Sequence, residues 1–178
     1  MTSRHPSAPP RPADLLVHRA DLGDVAWQVL LRDGHVLPLH GDVGLPAGVP
    51  ASPALRAAAL AGRVTSREAV ARTAAVWVHL GGPPPGRVHA VAVAALAPRD
   101  VVGLGGVRVT TPRRAALDVL TLEPPDVARA ALARLARAGL DLGQVQADVT
   151  AAATRRGVRR ALEVLRALRD EQGAFSPP

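Results

Sequence analysis

Apolar positions recur along the chain with two periods, and the places where the period changes mark its elements. Residues 14–22, DLLVHRADL, suit a short helix. Over residues 25–32, Val25, Val29 and Leu30 share one helical face; Asp24 is placed to cap it and Gly34 to stop it. HVLPLHGDVGLP then alternates apolar with polar residues, and Pro38 and Gly41 mark it as a short, edge-type β-ribbon. Helix, helix, ribbon is the order of a minimal winged helix.

A helix is expected in ASPALRAAALAG, with Ser52 as its cap, Pro53 in its first turn and Gly62 as its stop. Thr65 and Glu68 have the spacing of a capping box, which predicts a further helix running to about Val76. GGPPPG at 81–86 breaks the chain. RVHAVAVA is β-branched and mostly apolar, and reads as a buried strand. DVVGL and VRVTT flank Gly105-Gly106 as a hairpin, after which Thr111 and Pro112 open a helix. Three more helices are expected, starting at Asp126, Asp141 and Arg156–Gly157; the last turns Val158, Leu162, Leu165 and Leu168 inward. The fold class is therefore mixed α+β. Its expected parts are a disordered tail (1–13), a reduced winged-helix-like segment (14–50), a helix-rich domain with a small sheet and C-terminal helices (51–172), and a second tail (173–178).

Composition narrows the chemistry. Hydrophobic residues make up 48 % of the chain but aromatics only 2 %, so a core must be assembled from many small contacts. There is no Cys, which removes disulfides, thiolate nucleophiles and Cys-based zinc sites. All 22 basic residues are Arg, so a Walker A lysine, a Schiff base and a (D/E)xK nuclease centre are absent in their standard forms. The six His residues form no HxxxH or HExxH pair, and no GxSxG occurs. No catalysis, cofactor, metal or small-molecule substrate is expected. The N-terminal stretch has no apolar core of the kind a signal peptide needs, and no apolar run reaches spanning length, so a cytoplasmic location without membrane contact is expected. The net charge of +7 is uneven: residues 1–50 carry four Arg against five Asp, whereas residues 51–100 carry six Arg against two acids.

RDGHVLPLHGDVGLPAGVP, PALRAAALA, TSREAVARTAAVWVHLGG, DVVGLGGVRVTTPRRAALDVL, RAGLD and RRGVRRALEVL follow one another in an order that resembles the actinobacterial type of the AbiEi-like antitoxin family. The similarity covers roughly residues 15–170, and its most specific block is GGVRVTTPRRAALD. The resemblance implies a winged helix that binds operator DNA, followed by an antitoxin-like α/β domain. The implied role is a transcriptional regulator of a type IV toxin–antitoxin system, whose partners are operator DNA and a nucleotidyltransferase-like toxin. Larger relatives often carry a nuclease-type C-terminal domain, which is not expected in this chain.

On that footing the candidate DNA-binding side chains are His18, Arg19, Gln28, Arg32, His35 and His40. Trp27 is expected in the core. The alternative is a segment that has lost DNA recognition and serves as an interaction surface, since counterion release needs cations and this segment is net negative. Arg113, Arg114, Arg156, Arg159 and Arg160 are candidates for a surface facing a partner or nucleic acid. The competing reading is a solvated polar face, with Arg114 paired to Asp118 one helical turn on.

Overall fold

The helix expected over 25–32 and the ribbon form, whereas the helix expected over 14–22 does not form as one element. In a computed structural model that describes residues 11–151 and 157–173, β1 (Val17–His18) precedes α1 (Arg19–Leu22) and α2 (Asp24–Arg32). β2 (Val36–His40) and β3 (Val43–Pro46) follow, in an antiparallel sheet of order β1-β3-β2. The helix expected over 14–22 is thus divided into a 3₁₀ turn at Pro12–Leu15, then β1, then α1. Val17 and His18 pair with Gly44 and Val43, and that ladder outweighs the weak helical preference of a very short segment. Gly23, at φ 76°, takes the cap position expected for Asp24, which instead lies in the first turn of α2. Most of the two expected tails falls outside the described residues; Pro12 and Ala13 belong to the 3₁₀ turn, and Gly173 ends the last helix.

Trp27 anchors this unit. It is 4 % exposed, and its ring lies over Gly44 of β3. A Cβ at position 44 would stand 2.5 Å from Val36 Cγ1 and 3.2 Å from Trp27 Cη2, so only glycine lets the helix seat on the ribbon.

α3 (Pro53–Ala58) starts as expected, with Ser52 Oγ accepting from the Leu55 amide at 3.2 Å. Thr65 and Glu68 also meet: the Thr65 amide and hydroxyl both donate to Glu68 Oε2 at 2.9 Å. The box opens a strand, however, and not the expected helix. β4 (Glu68–Ala71) runs parallel to β7 (Val107–Thr110) and antiparallel to β5 (His89–Ala92), and α4 (Arg72–Leu80) begins only afterwards. Ala69, Val70 and Ala71 are buried in the middle of that sheet, whose order with β6 (Val101–Leu104) is β5-β4-β7-β6. Such non-local pairing overrides local helix signals. RVHAVAVA is also corrected: β5 is an edge strand, alternately half-buried and exposed. The Gly105-Gly106 hairpin stands as expected. Gly105, at φ 54°, leaves the space that the Ala54 carbonyl of α3 occupies.

The remaining helices cover the sheet and one another. α5 (Pro112–Leu122) is capped by Thr111, whose hydroxyl accepts from the Arg114 amide. α6 (Pro125–Arg137) starts behind Pro124, so Asp126 lies in its first turn and is not the cap. Asp141 caps α7 (Leu142–Ala151) by accepting from Gly143 N at 2.7 Å. α8 (Val158–Gly173) buries Ala161, Val164, Leu165 and Leu168, with Val158 and Leu162 only half-buried. Ala74 and Ala75 of α4 and Ala115 and Ala116 of α5 are fully buried, which lets these packed helices approach closely. One continuous core runs from Leu39 and Leu45 of the ribbon to Leu168.

Candidate nucleic-acid interface

α2 lies directly before the ribbon, one side held by Trp27 and the other in solvent. Val25, Gln28, Val29 and Arg32 are exposed, Val25 by 81 %. The cations of this unit are already engaged. Arg19 donates to Asp24 Oδ1 at 2.9 Å and to Asp42 Oδ1 at 3.1 Å, tying the first turn of α2 to the β2–β3 turn. That contact holds the Asp24 carboxyl below its ordinary pKa. Arg32 donates to Asp33 at 2.9 Å. With each of these arginines on a carboxylate, the face has little free positive charge for phosphate.

The six candidate side chains are therefore spread over different surroundings. Gln28, Arg32 and His35 are exposed and His18 is half-buried, while Arg19 acts as a brace. His40 points elsewhere. Its Nε2 donates to the Pro85 carbonyl at 3.3 Å, and its ring stands 5.8 Å from that of Trp77. A carbonyl only accepts, so this bond places the imidazole proton on Nε2. Burial, with Arg63 nearby, pushes the His40 pKa down.

The second group of candidates is largely tied into the fold. Arg113 donates to Asp148 Oδ2 through Nε at 2.6 Å, joining α5 to α7. Arg114 donates to Asp118 at 3.0 Å, as its spacing predicts, with Asp100 close by. Burial pushes the Asp118 carboxyl up, and Arg114 opposes that shift. Arg160 donates to the Thr121 carbonyl at 3.0 Å. Arg159 is exposed on α8, and Arg156 lies outside the described residues.

Several functional-looking positions are invisible to sequence patterns. Arg56 of α3 is 8 % exposed and donates to three backbone carbonyls, Val78, His79 and Ala51. Arg72 has φ 56°, the only non-glycine residue with positive φ among the described ones, at the turn from β4 into α4. It lies 3.7 Å from Glu123, which in turn lies 3.8 Å from His89 Nδ1. Glu123 Oε1 and His89 Nδ1 are buried without a hydrogen-bond partner. Arg63 and Arg87 both line a cleft beside His40.

Among the described residues, no three His, Cys, Asp or Glu side chains gather where a metal ion would sit, and no helix is long and apolar enough to cross a membrane. Compared with known proteins, the chain matches no family model, no curated protein and no solved structure.

Proposed function

We propose that the chain is a non-catalytic, antitoxin-like transcriptional regulator whose N-terminal unit occupies operator DNA. The observation that carries this is topological: β1, α1, α2, β2 and β3 follow in winged-helix order, and the sheet order β1-β3-β2 closes the ribbon onto the first strand. α2 then offers Gln28 and Arg32 from its free side, and both side chains are long enough to reach base edges or phosphates. Neutralisation of a nucleotidyltransferase-like toxin by the second unit rests on the sequence resemblance alone. A mobility-shift titration with the chain's own upstream DNA tests the regulator: retardation should weaken steeply with salt and diminish in Arg32→Ala. No retardation at low salt overturns it. Co-expression with the product of the neighbouring open reading frame tests the antitoxin role, which fails if growth is not rescued.

A second reading is favoured by one specific feature. Of the five exposed large hydrophobic residues among those described, Leu22, Val25, Val29 and Leu37 lie in this unit. An apolar free face on α2 suits a protein partner better than a phosphate backbone. Loss of complex formation with the neighbouring product in Val25→Glu, with DNA retardation absent in the wild type, selects this reading over the first.

A further inference from the structure

The cations missing from α2 are found beside the β2–β3 turn. A cleft of about 620 Å³ opens between the β2–β3 turn and the loop leading into β5, lined by His40, Gly41, Arg63, Pro85, Arg87 and Val88 among others. No carboxylate lines it. Elsewhere Arg19, Arg32, Arg72, Arg113 and Arg114 each meet an acid. Arg63 and Arg87 are exposed and have no ion pair among the described residues. Two unneutralised guanidiniums facing one cleft without an acid form an anion site, because Arg donors in a fork match phosphate oxygens.

The location favours a polymer over a small ligand. The cleft is open to solvent, with a wall stiffened by Pro84 and Pro85. Arg63 Nη2 would lie 3.5 Å from a Cβ at Gly41, so this guanidinium sits over the β2–β3 turn. That turn is fastened through Asp42 and Arg19 to Asp24, in the first turn of α2. The cleft and the first turn of α2 are thus joined through one turn and one arginine, so a duplex contacting α2 has a cationic neighbour at the β2–β3 turn. Asp42, the acid on that turn, is already paired with Arg19.

We propose that this cleft is a phosphate clamp, in which Arg63 and Arg87 hold the phosphodiester backbone of duplex DNA beside the β2–β3 turn. It rests on the DNA-binding reading above and supplies the electrostatic attraction that α2 lacks. Phosphate contacts position a duplex without reading its sequence, so the clamp acts alike on operator and scrambled DNA. Gln28 and Arg32 would carry the discrimination between them.

The test is the salt dependence of binding, measured with the full chain by fluorescence anisotropy on the upstream duplex and on a scrambled duplex. Each phosphate contact contributes about 0.9 to the slope of log K against log salt, so Arg63→Ala/Arg87→Ala should lower the slope by about 2. Affinity for both duplexes should fall by the same factor, on the order of tenfold or more at low salt. Arg63→Lys/Arg87→Lys should keep most of the slope, because the charge stays. Both side chains are exposed and have no ion pair among the described residues, and a circular dichroism melt will verify that the variants fold. If the alanine variant keeps the wild-type slope and affinity, the clamp is overturned while DNA binding stands. If the wild type binds neither duplex, the regulator falls first. Titration with inorganic phosphate, followed by the Gly86 and Arg87 amide shifts, then decides what the cleft is. Saturable shifts absent from the alanine variant assign it to a small anion and overturn the duplex; no shifts overturn the anion site altogether.

Discussion

The Arg56 guanidinium donates through Nε to the Val78 carbonyl at 2.9 Å, closing the C-terminal end of α4 from inside the fold. The same group reaches the His79 carbonyl at 3.2 Å and the Ala51 carbonyl, and Arg134 of α6 donates to the carbonyl of Gly81 just beyond. The last carbonyls of a helix have no partners within it and carry the negative end of its dipole, so two arginines are well suited to this place. Burial and the neighbouring Arg134 both push the Arg56 pKa down, but a guanidinium is not deprotonated in proteins, so the group stays charged.

Arg56→Ala leaves those carbonyls without donors in the interior and is expected to cost about 2–3 kcal/mol, read from the urea midpoint. Arg56→Lys, a single point donor, should recover part of that. A loss below about 0.5 kcal/mol for the alanine variant shows that water replaces the guanidinium and that the cap is dispensable.

Gly44→Ala is expected to be more damaging than its size suggests. The added methyl would meet Val36 Cγ1 at 2.5 Å, the Leu37 carbonyl at 2.9 Å and the Trp27 ring at 3.2 Å. Two of these belong to β2, so relief requires the ribbon to distort, and the third disturbs the seat of α2. Overpacking of this kind costs about 1–3 kcal/mol. The accompanying sign is a red shift of Trp emission as Trp27 gains water. Unchanged emission and stability mean that α2 does not seat on β3 in the way described.

Features written into a few consecutive residues were legible from the chain alone. Ser52-Pro53, Thr111-Pro112 and Asp141 cap their helices, and Gly105-Gly106 turns its hairpin, because each depends only on near neighbours. β1 and β4 were not legible. Val17 becomes a strand residue because Gly44 lies opposite, and Val70 because Val109 runs parallel to it; a local period records neither partner. Glu68 shows the difficulty well, since its contact with Thr65 forms as expected and yet opens a strand. The cleft follows the same logic. Arg63 follows a helix stop and Arg87 a proline run, and only the packing of the β2–β3 turn between them puts both beside His40.

Acid should weaken the fold earlier than its carboxylates alone would require. Burial holds the imidazoles of His40, His79 and His89 below the free value of 6.5. As the pH falls through 6.5 the unfolded chain takes up protons that the folded chain refuses, so unfolding becomes easier. The loss is complete once the pH passes below each folded-state value. The urea midpoint should therefore drop between about pH 7.5 and pH 5.5. His79 is the most informative of the three. Its Nε2 donates to the Thr110 carbonyl at 2.8 Å, a bond that a glutamine amide can replace. His79→Gln should flatten the pH dependence while keeping most of the stability near neutrality. An unchanged slope in that variant removes His79 from the account.

Arg72 combines a strained backbone with an interior ion pair, and two substitutions separate them. Its φ of 56° at the β4–α4 turn disfavours any residue with a Cβ, and its guanidinium lies 3.7 Å from Glu123. Arg72→Ala and Arg72→Gly both remove the ion pair and leave Glu123, 13 % exposed, facing His89. Only the glycine variant also removes the left-handed penalty, which is about 1 kcal/mol. Both variants should be less stable than the wild type, with Arg72→Gly above Arg72→Ala by about 1 kcal/mol. Where φ is negative the usual order is the reverse, since glycine has more freedom to lose on folding. Finding alanine the more stable of the two shows that the turn relaxes to negative φ in solution, and that the wild-type arginine is held there by its contact with Glu123.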